Sequence, residues 1–363
     1  MIKNKLLFTV GPLEMDQEIL EIGSNKIPYF RTDEFSKINI ECANLLKKFC
    51  YTSNDSECVI LTGSGTAAME AAVINCFDSN DKVLIISGGS FGDRFKEICD
   101  LHELNYDVLR ADIGSDITKN KLNEYKDKGY TGMLINAHET STGVLYDMKM
   151  IGEFCKEQNI LLVCDAISTF LADEYYMDKW NIDVTIISSQ KSLALPPGLS
   201  FILINKRTIE RILKNNVKSL YFNLPNYIKN MERGQTPFTP AVSIILQLHY
   251  RLNCIEKIGV ENLIKNAEKL ANDFRSKLEK NKIPLKIASK SLSNTLTPLN
   301  PMGKMTAHEI YKYLYEKYNI SVCPNGGKHK DSLFRVGHIG NLNTTDNDKL
   351  INALLTMKEK NIL

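Results

Sequence analysis

Short, nearly continuous apolar runs recur along the chain, and helical stretches separate most of them. Cys58-Val59-Ile60-Leu61, Val83-Leu84-Ile85-Ile86, Met133-Leu134-Ile135-Asn136, Leu161-Leu162-Val163-Cys164, Val184-Thr185-Ile186-Ile187 and Phe201-Ile202-Leu203-Ile204 are too short for buried helices. They also lack the alternation of a half-exposed strand. Strands without a polar face are covered on both sides, as in a mainly parallel central sheet sandwiched by helices. The covering elements are the Ala-rich stretch from Thr66 to Cys76, the one carrying Arg94, Phe95, Ile98 and Leu101, and the one carrying Met150, Ile151 and Phe154. The fold class is therefore α/β.

The pattern changes after Lys206. Tyr221 to Gln235 is polar, aromatic and without strong periodicity, and reads as irregular. Thr239-Pro240 then opens a long helix, with Thr as N-cap and Pro at the first helical position, and Gly259 ends it. A second long helix, about Glu261 to Lys280, leads to a smaller α+β region. It holds Pro284-Leu285-Lys286-Ile287, a helix near Ala307 to Tyr318, Ile320-Ser321-Val322, Leu333-Phe334-Arg335-Val336 and a final helix from about Asp346. At the other end, Leu6 to Leu13 reads as an extended arm that breaks at Gly11-Pro12. The expected domains are an N-terminal arm (1–16), a large domain (17–255) and a small C-terminal domain (256–363).

Composition narrows the classes. A formal charge of +2 on 363 residues gives no electrostatic reason to expect nucleic acid or an anionic membrane as partner. No apolar run approaches a membrane span, and the start lacks a secretory core and cleavage site. The nine cysteines are odd in number, scattered and never spaced C-x-x-C, so neither a disulfide framework nor a metal site is indicated. A cytoplasmic protein with reduced thiols is expected.

Five features can carry chemistry. Lys191, in Ser188-Ser189-Gln190-Lys191-Ser192, lies between two buried runs, where a low dielectric frees the amine to act as a Schiff-base nucleophile. A solvated loop lysine is the plainer alternative. Leu61-Thr62-Gly63-Ser64-Gly65-Thr66 joins a strand to a helix through two glycines, a place for an anion or simply a tight turn capped by Thr66. It fits neither the dinucleotide fingerprint nor the P-loop. Asp165 ends a strand at the sheet edge where open α/β folds bind ligands, and would cap a helix or face a protonated ring nitrogen. Phe91, in a glycine-rich loop, would stack on a flat ring or join the core. Arg335, within an apolar run, needs an anion, either a carboxylate ligand or an internal partner. Together they suit pyridoxal phosphate, which needs a lysine, an acid for its pyridine nitrogen and a phosphate pocket.

On these motifs the chain resembles the fold type I, class V pyridoxal-phosphate aminotransferases. The stretches that carry the resemblance are Thr9-Val10-Gly11-Pro12, Glu139-Thr140-Ser141-Thr142-Gly143, Ser188-Ser189-Gln190-Lys191 with Pro196-Pro197-Gly198, and Arg335-Val336-Gly337-His338-Ile339-Gly340. The resemblance implies that Lys191 holds the cofactor as a Schiff base and moves the substrate proton, and that Asp165 keeps the ring nitrogen protonated. It implies that Phe91 stacks on the ring, Thr140 bonds the ring hydroxyl oxygen, and Ser64, Gly65, Thr66 and Gln190 hold the phosphate. Arg335 would pair with the carboxylate of the amino or oxo acid. Thr239, with Thr236 second, would reach the neighbouring subunit's phosphate site, which implies a homodimer. Arg31 would line the substrate entrance. Arg31, Lys328, His329 and His338 would add charge for a phosphonate, although Lys328 and His329 read better as solvated.

Within the family, the 2-aminoethylphosphonate–pyruvate transaminases are the first expectation, with alanine or serine and glyoxylate or pyruvate close behind. A lyase or cysteine desulfurase is disfavoured, because Phe91 stands where those enzymes carry histidine and Cys323 reads as a strand end rather than a catalytic loop. A non-catalytic α/β binding protein would leave Lys191, Asp165 and Arg335 unexplained together.

Overall fold

The computed structural model describes residues 5–363. Its strands, in chain order, are β1 (Leu6–Phe8), β2 (Glu57–Thr62), β3 (Lys82–Ser87), β4 (Asn105–Arg110), β5 (Gly132–Asn136), β6 (His138–Glu139), β7 (Val144–Leu145), β8 (Leu161–Asp165), β9 (Val184–Ser188), β10 (Leu199–Ile204), β11 (Leu285–Ile287), β12 (Leu296–Pro301), β13 (Ile320–Pro324) and β14 (Phe334–Gly337). Seven form one sheet in the order β2-β10-β9-β8-β5-β3-β4. Neighbours from β9 to β4 pair parallel, and β10 runs antiparallel to both its neighbours. Every residue of β5, β9 and β10 is buried, as the continuous apolar runs require.

Two apolar cores lie on the faces of this sheet. One gathers Phe35, Leu46, Met133, Ile151, Phe154 and Leu248, and the other gathers Ala68, Ala72, Phe95, Ile98 and Val163. The small residues of helix Gly65–Cys76 let it pack closely against β9 and β10. A third core, with Phe274, Ile310, Leu314, Phe334 and Leu354, fills the C-terminal region around a second sheet, β1-β13-β14-β12-β11. The arm belongs to that sheet, with Leu6, Leu7 and Phe8 opposite Ile320, Ser321 and Val322 in parallel register. No helix among the described residues is long and apolar enough to cross a membrane.

Several local expectations need correction. Tyr221 to Gln235 is not irregular throughout: Leu224–Met231 is helical, capped by the Asn223 side chain on the Asn226 N–H with Pro225 in the first turn. The long helix after Thr239-Pro240 begins at Val242, because the Thr62 hydroxyl takes the Ala241 N–H at 3.0 Å and holds the preceding residues extended. It does end at Gly259, whose φ of 88° suits glycine. Strands β4 and β12 also escaped the pattern: β4 mixes Asn, Asp and Arg with apolar residues, and β12 contains two prolines.

Candidate active site

Three strands of the large sheet bring their carboxyl ends to one place. β2 leads to Ser64, whose hydroxyl caps helix Gly65–Cys76 by accepting the Ala67 N–H at 3.4 Å, so the cap is Ser64 and not Thr66. β8 ends in Asp165, and β9 leads through Ser188 to Gln190 and Lys191. Gly65 shows how tightly they meet: a Cβ there would lie 2.4 Å from the Ile167 Cδ1 and 3.4 Å from the Ser188 Cβ. Only glycine fits between the other two strand ends.

Lys191 is covered from the arm. A Cβ on Gly11, whose φ is +137°, would come within 2.8 Å of the Lys191 Cδ and 2.7 Å of the Gln190 carbonyl oxygen. Burial pushes the Lys191 ammonium pKa below its ordinary value; Arg335 and Arg94 push the same way, while Cys323 and Asp165 oppose them. Asp165 is 6% exposed, and burial raises its carboxyl pKa to about 6 although the Ile167 N–H and Lys191 favour the anion. The Ile167 N–H, at 2.8 Å from Oδ1, is the hydrogen bond Asp165 makes among the described residues.

The turn His138–Gly143 forms the opposite wall. Arg335, buried on β14, donates through Nη1 to the Thr140 carbonyl oxygen at 3.1 Å and through Nη2 to that of Pro324, and its Nε has no partner. Asn325 donates to the Ser141 carbonyl oxygen at 3.0 Å. The Thr140 hydroxyl reaches Ser168, three residues beyond Asp165, at 3.0 Å. Gly143, at φ +74°, packs on Pro298, so the large-domain turn is seated on both β14 and β12.

Glu139 explains how Phe91 is held, a role the sequence reading did not assign. Its fully buried carboxylate accepts the N–H groups of Gly92 at 2.9 Å, Ser141 at 3.1 Å and Phe91 at 3.4 Å, besides the Ser141 hydroxyl and Asn136. The only sequence signal was an acidic residue directly after a buried strand. Arg94 is the second addition: its guanidinium stands 5.1 Å from the Phe91 ring and donates to the Thr66 hydroxyl at 3.3 Å. His138 is the third, with both ring nitrogens unpartnered and its pKa pushed down to about 3, first by burial and then by Lys191 and Arg335.

The other expected residues have partners or surroundings of their own. The Arg31 guanidinium is tied to the Gln235 side chain at 3.2 Å and the Thr236 carbonyl oxygen at 2.9 Å of its own chain. The Thr236 hydroxyl is engaged by the Phe238 carbonyl oxygen at 2.7 Å, while Thr239 is exposed. Lys328 and His329 line a cavity with Arg110, Gly89, Ser141 and Asn325. His338 is buried against Thr297.

A lysine with a lowered pKa, a buried carboxylate, a helix start at Gly65-Thr66 with Arg94 beside it and an arginine with an orphaned Nε fit pyridoxal phosphate and a carboxylate substrate. The profile of the family described as aminotransferase class-V matches residues 29–336. The chain belongs to this family. An uncharacterized aminotransferase of Methanocaldococcus jannaschii is 35% identical over 343 residues, covering 93% of this chain and 88% of the relative. Serine–glyoxylate aminotransferase of Arabidopsis thaliana is 25% identical, covering 93% and 86%. The crystal structure of ureidoglycine–glyoxylate aminotransferase from Bacillus subtilis superposes with a TM-score of 0.93 at 22% identity, covering 100% of this chain and 95% of that one. As a class V aminotransferase the chain works with pyridoxal phosphate.

Proposed function

We propose that this aminotransferase moves an amino group from a small amino acid, serine or alanine, to glyoxylate or pyruvate in two half-reactions. The observation that carries the reading is Arg335, buried beside Lys191 with its Nε free, which suits the one carboxylate common to these donors and acceptors. The serine–glyoxylate activity in the name of the Arabidopsis relative supports the pair.

In this reading Ser64, Gly65, Thr66 and Gln190 hold the cofactor's phosphate at the start of helix Gly65–Cys76. Phe91, braced by Glu139, covers one face of the ring, Thr140 meets the ring hydroxyl oxygen, and Asp165 keeps a proton on the ring nitrogen. When bound, pyridoxal phosphate supplies the carbonyl that exchanges with the amino group and a ring that takes up the electron pair left on the substrate carbon. Lys191 would hold that carbonyl between turnovers and, as a free amine, would remove and return the proton at the substrate carbon. Its lowered pKa favours both, since each needs the uncharged amine. Arg335 orients the carboxylate so that this proton faces Lys191. Thr239, exposed on its own chain, is assigned to the phosphate site of a second copy, which makes the working unit a homodimer.

The 2-aminoethylphosphonate–pyruvate pair ranks second. It needs a further cation for the phosphonate, and Arg31 is engaged by Gln235 and Thr236. Rates with each donor and acceptor test the choice. A kcat/KM for serine or alanine with glyoxylate above that for 2-aminoethylphosphonate with pyruvate is expected, and the reverse order would refute it.

A further inference from the structure

None of the residues assigned to the phosphate above carries a formal charge. Ser64, Gly65, Thr66 and Gln190 offer hydrogen bonds only, and so does Thr239 from a second copy. A phosphate monoester brings roughly 1.5 to 2 negative charges near neutral pH. The amino end of helix Gly65–Cys76 answers with about half a positive charge. The balance of the phosphate's charge is left without a counterpart.

Arg94 stands where that counterpart is needed. Helix Ser90–Leu101 carries Phe91 and Arg94 three positions apart, so both project from one face. The guanidinium lies 5.1 Å from the Phe91 ring, and its Nη1 donates to the Thr66 hydroxyl at 3.3 Å. Thr66 is the second residue of the helix assigned to the phosphate. At that helix start the Ser64 hydroxyl takes the Ala67 N–H and the Ser64 carbonyl oxygen takes the Ala68 N–H. The Gly65 and Thr66 N–H groups precede the first internal bond of the helix, the usual place for an anion. Thr66 and Arg94 are both partly exposed, so neither is sealed from a ligand.

One bond to a hydroxyl spends one of the five donors of a guanidinium. Among the described residues Arg94 makes no ion pair, and its neighbour Asp93 is taken by Arg110. The other cations of the site have different tasks: Arg335 is bonded to the Thr140 and Pro324 carbonyl oxygens, and Lys191 acts uncharged. Burial dominates the pKa of Lys191 and of Asp165, lowering the first and raising the second, and Arg94 pushes both down. Its charge is therefore felt at the lysine and at the carboxylate, on top of its contact with Thr66.

We propose that Arg94 is a phosphate-binding residue, whose guanidinium pairs with the cofactor's phosphate at the start of helix Gly65–Cys76. The assignment rests on the placing of that phosphate at Ser64, Gly65, Thr66 and Gln190. Because Arg94 and Phe91 share one helix face, it also couples the phosphate to the residue that stacks on the ring. The consequence is retention: once the cofactor carries the amino group, Lys191 no longer holds it covalently, and the phosphate contacts keep it in place between half-reactions.

Pyridoxamine phosphate and pyridoxamine test this, because neither forms a bond to Lys191 and only the first has a phosphate. Each is titrated by calorimetry into the full-length chain freed of cofactor. Arg94→Gln should weaken binding of pyridoxamine phosphate at least about tenfold and of pyridoxamine less than about threefold. Arg94→Lys keeps the charge but not the planar fork, so it should weaken the first ligand about threefold or more, and it decides the matter if Arg94→Gln does not fold. Gln190→Ala reads the phosphate placement itself. If it weakens pyridoxamine phosphate while the Arg94 variants do not, the proposal fails and the placement stands; if none of the three does, both fail. Equal losses for the two ligands in the Arg94 variants would make Arg94 a structural support and would also overturn the proposal.

Discussion

Replacing Glu139 by glutamine removes one oxygen from a carboxylate whose hydrogen bonds all come from donors. If the remaining oxygen faces Ser141 and Phe91, the new NH2 group confronts the Gly92 N–H, 2.9 Å away, and the Asn136 amide, 3.3 Å away. In the flipped orientation the Ser141 and Phe91 N–H groups, at 3.1 Å and 3.4 Å, lose their acceptor instead. Either way two buried donors are left unpaired, at roughly 1–3 kcal/mol each, and the surviving bonds lose their charge assistance. A net loss of about 3 kcal/mol is expected, some two decades in the folding equilibrium. Because one orphaned donor in either orientation, Gly92 or Phe91, lies in the first turn of helix Ser90–Leu101, which carries Phe91, cofactor affinity should also fall at least about tenfold. Urea denaturation of the apoprotein reads the first effect, and fluorescence titration with pyridoxal phosphate reads the second. A stability change below about 0.5 kcal/mol would refute the argument, since it would mean that these donors find other partners at no cost. Lowered cofactor affinity at unchanged stability would place the effect at the start of helix Ser90–Leu101 alone.

Lys191→Ala should abolish the absorption band of covalently held cofactor and lower kcat by about 10³-fold or more, while Lys206→Ala, whose amine pairs with exposed Asp55 at 3.1 Å, keeps both. His138 is neutral in the fold down to about pH 3 but protonates near its ordinary value when unfolded. The unfolded chain therefore binds the extra proton below about pH 6.5, and stability should fall by about 1.4 kcal/mol per pH unit from there toward pH 3. In His138→Phe the pH–stability curve, measured by urea titration, should lose about one proton of slope in that window; an unchanged slope would exclude His138 as its source. Gly152→Ala would place a Cβ 1.6 Å from the Trp180 carbonyl oxygen. A destabilisation of about 3 kcal/mol or more is expected, and a thermal midpoint within about 2 °C of the parent would show that the backbone yields.

The large sheet was legible because a strand buried on both faces leaves an unbroken apolar run, as Val83–Ile86 and Leu161–Cys164 do. Strand direction was not legible: Phe201–Ile204 reads like its neighbours, yet β10 runs antiparallel, since composition does not record which way a connection returns. The arm read as extended, but its pairing was not legible for a related reason, because its partner β13 is remote in sequence. At the site, Lys191, Asp165 and Arg335 stood out as charges in apolar surroundings. Glu139 sat in plain view within its motif, but its role depends on the start of helix Ser90–Leu101, some fifty residues away, which adjacency cannot reveal. Arg31 shows the converse: a cation near the expected entrance reads as available to a substrate, whereas the fold engages it with the Gln235 amide and the Thr236 carbonyl oxygen.

The arm that places Gly11 against Lys191 is anchored by pairing β1 with β13. During synthesis the arm emerges early and β13 late, so the lysine-bearing turn can reach the ribosome's surface and fold with its sheet before its cover has anything to pair with. Assembly of the reactive centre thereby waits for β13. A nascent or prematurely terminated product lacking β13 would carry Lys191 without that cover.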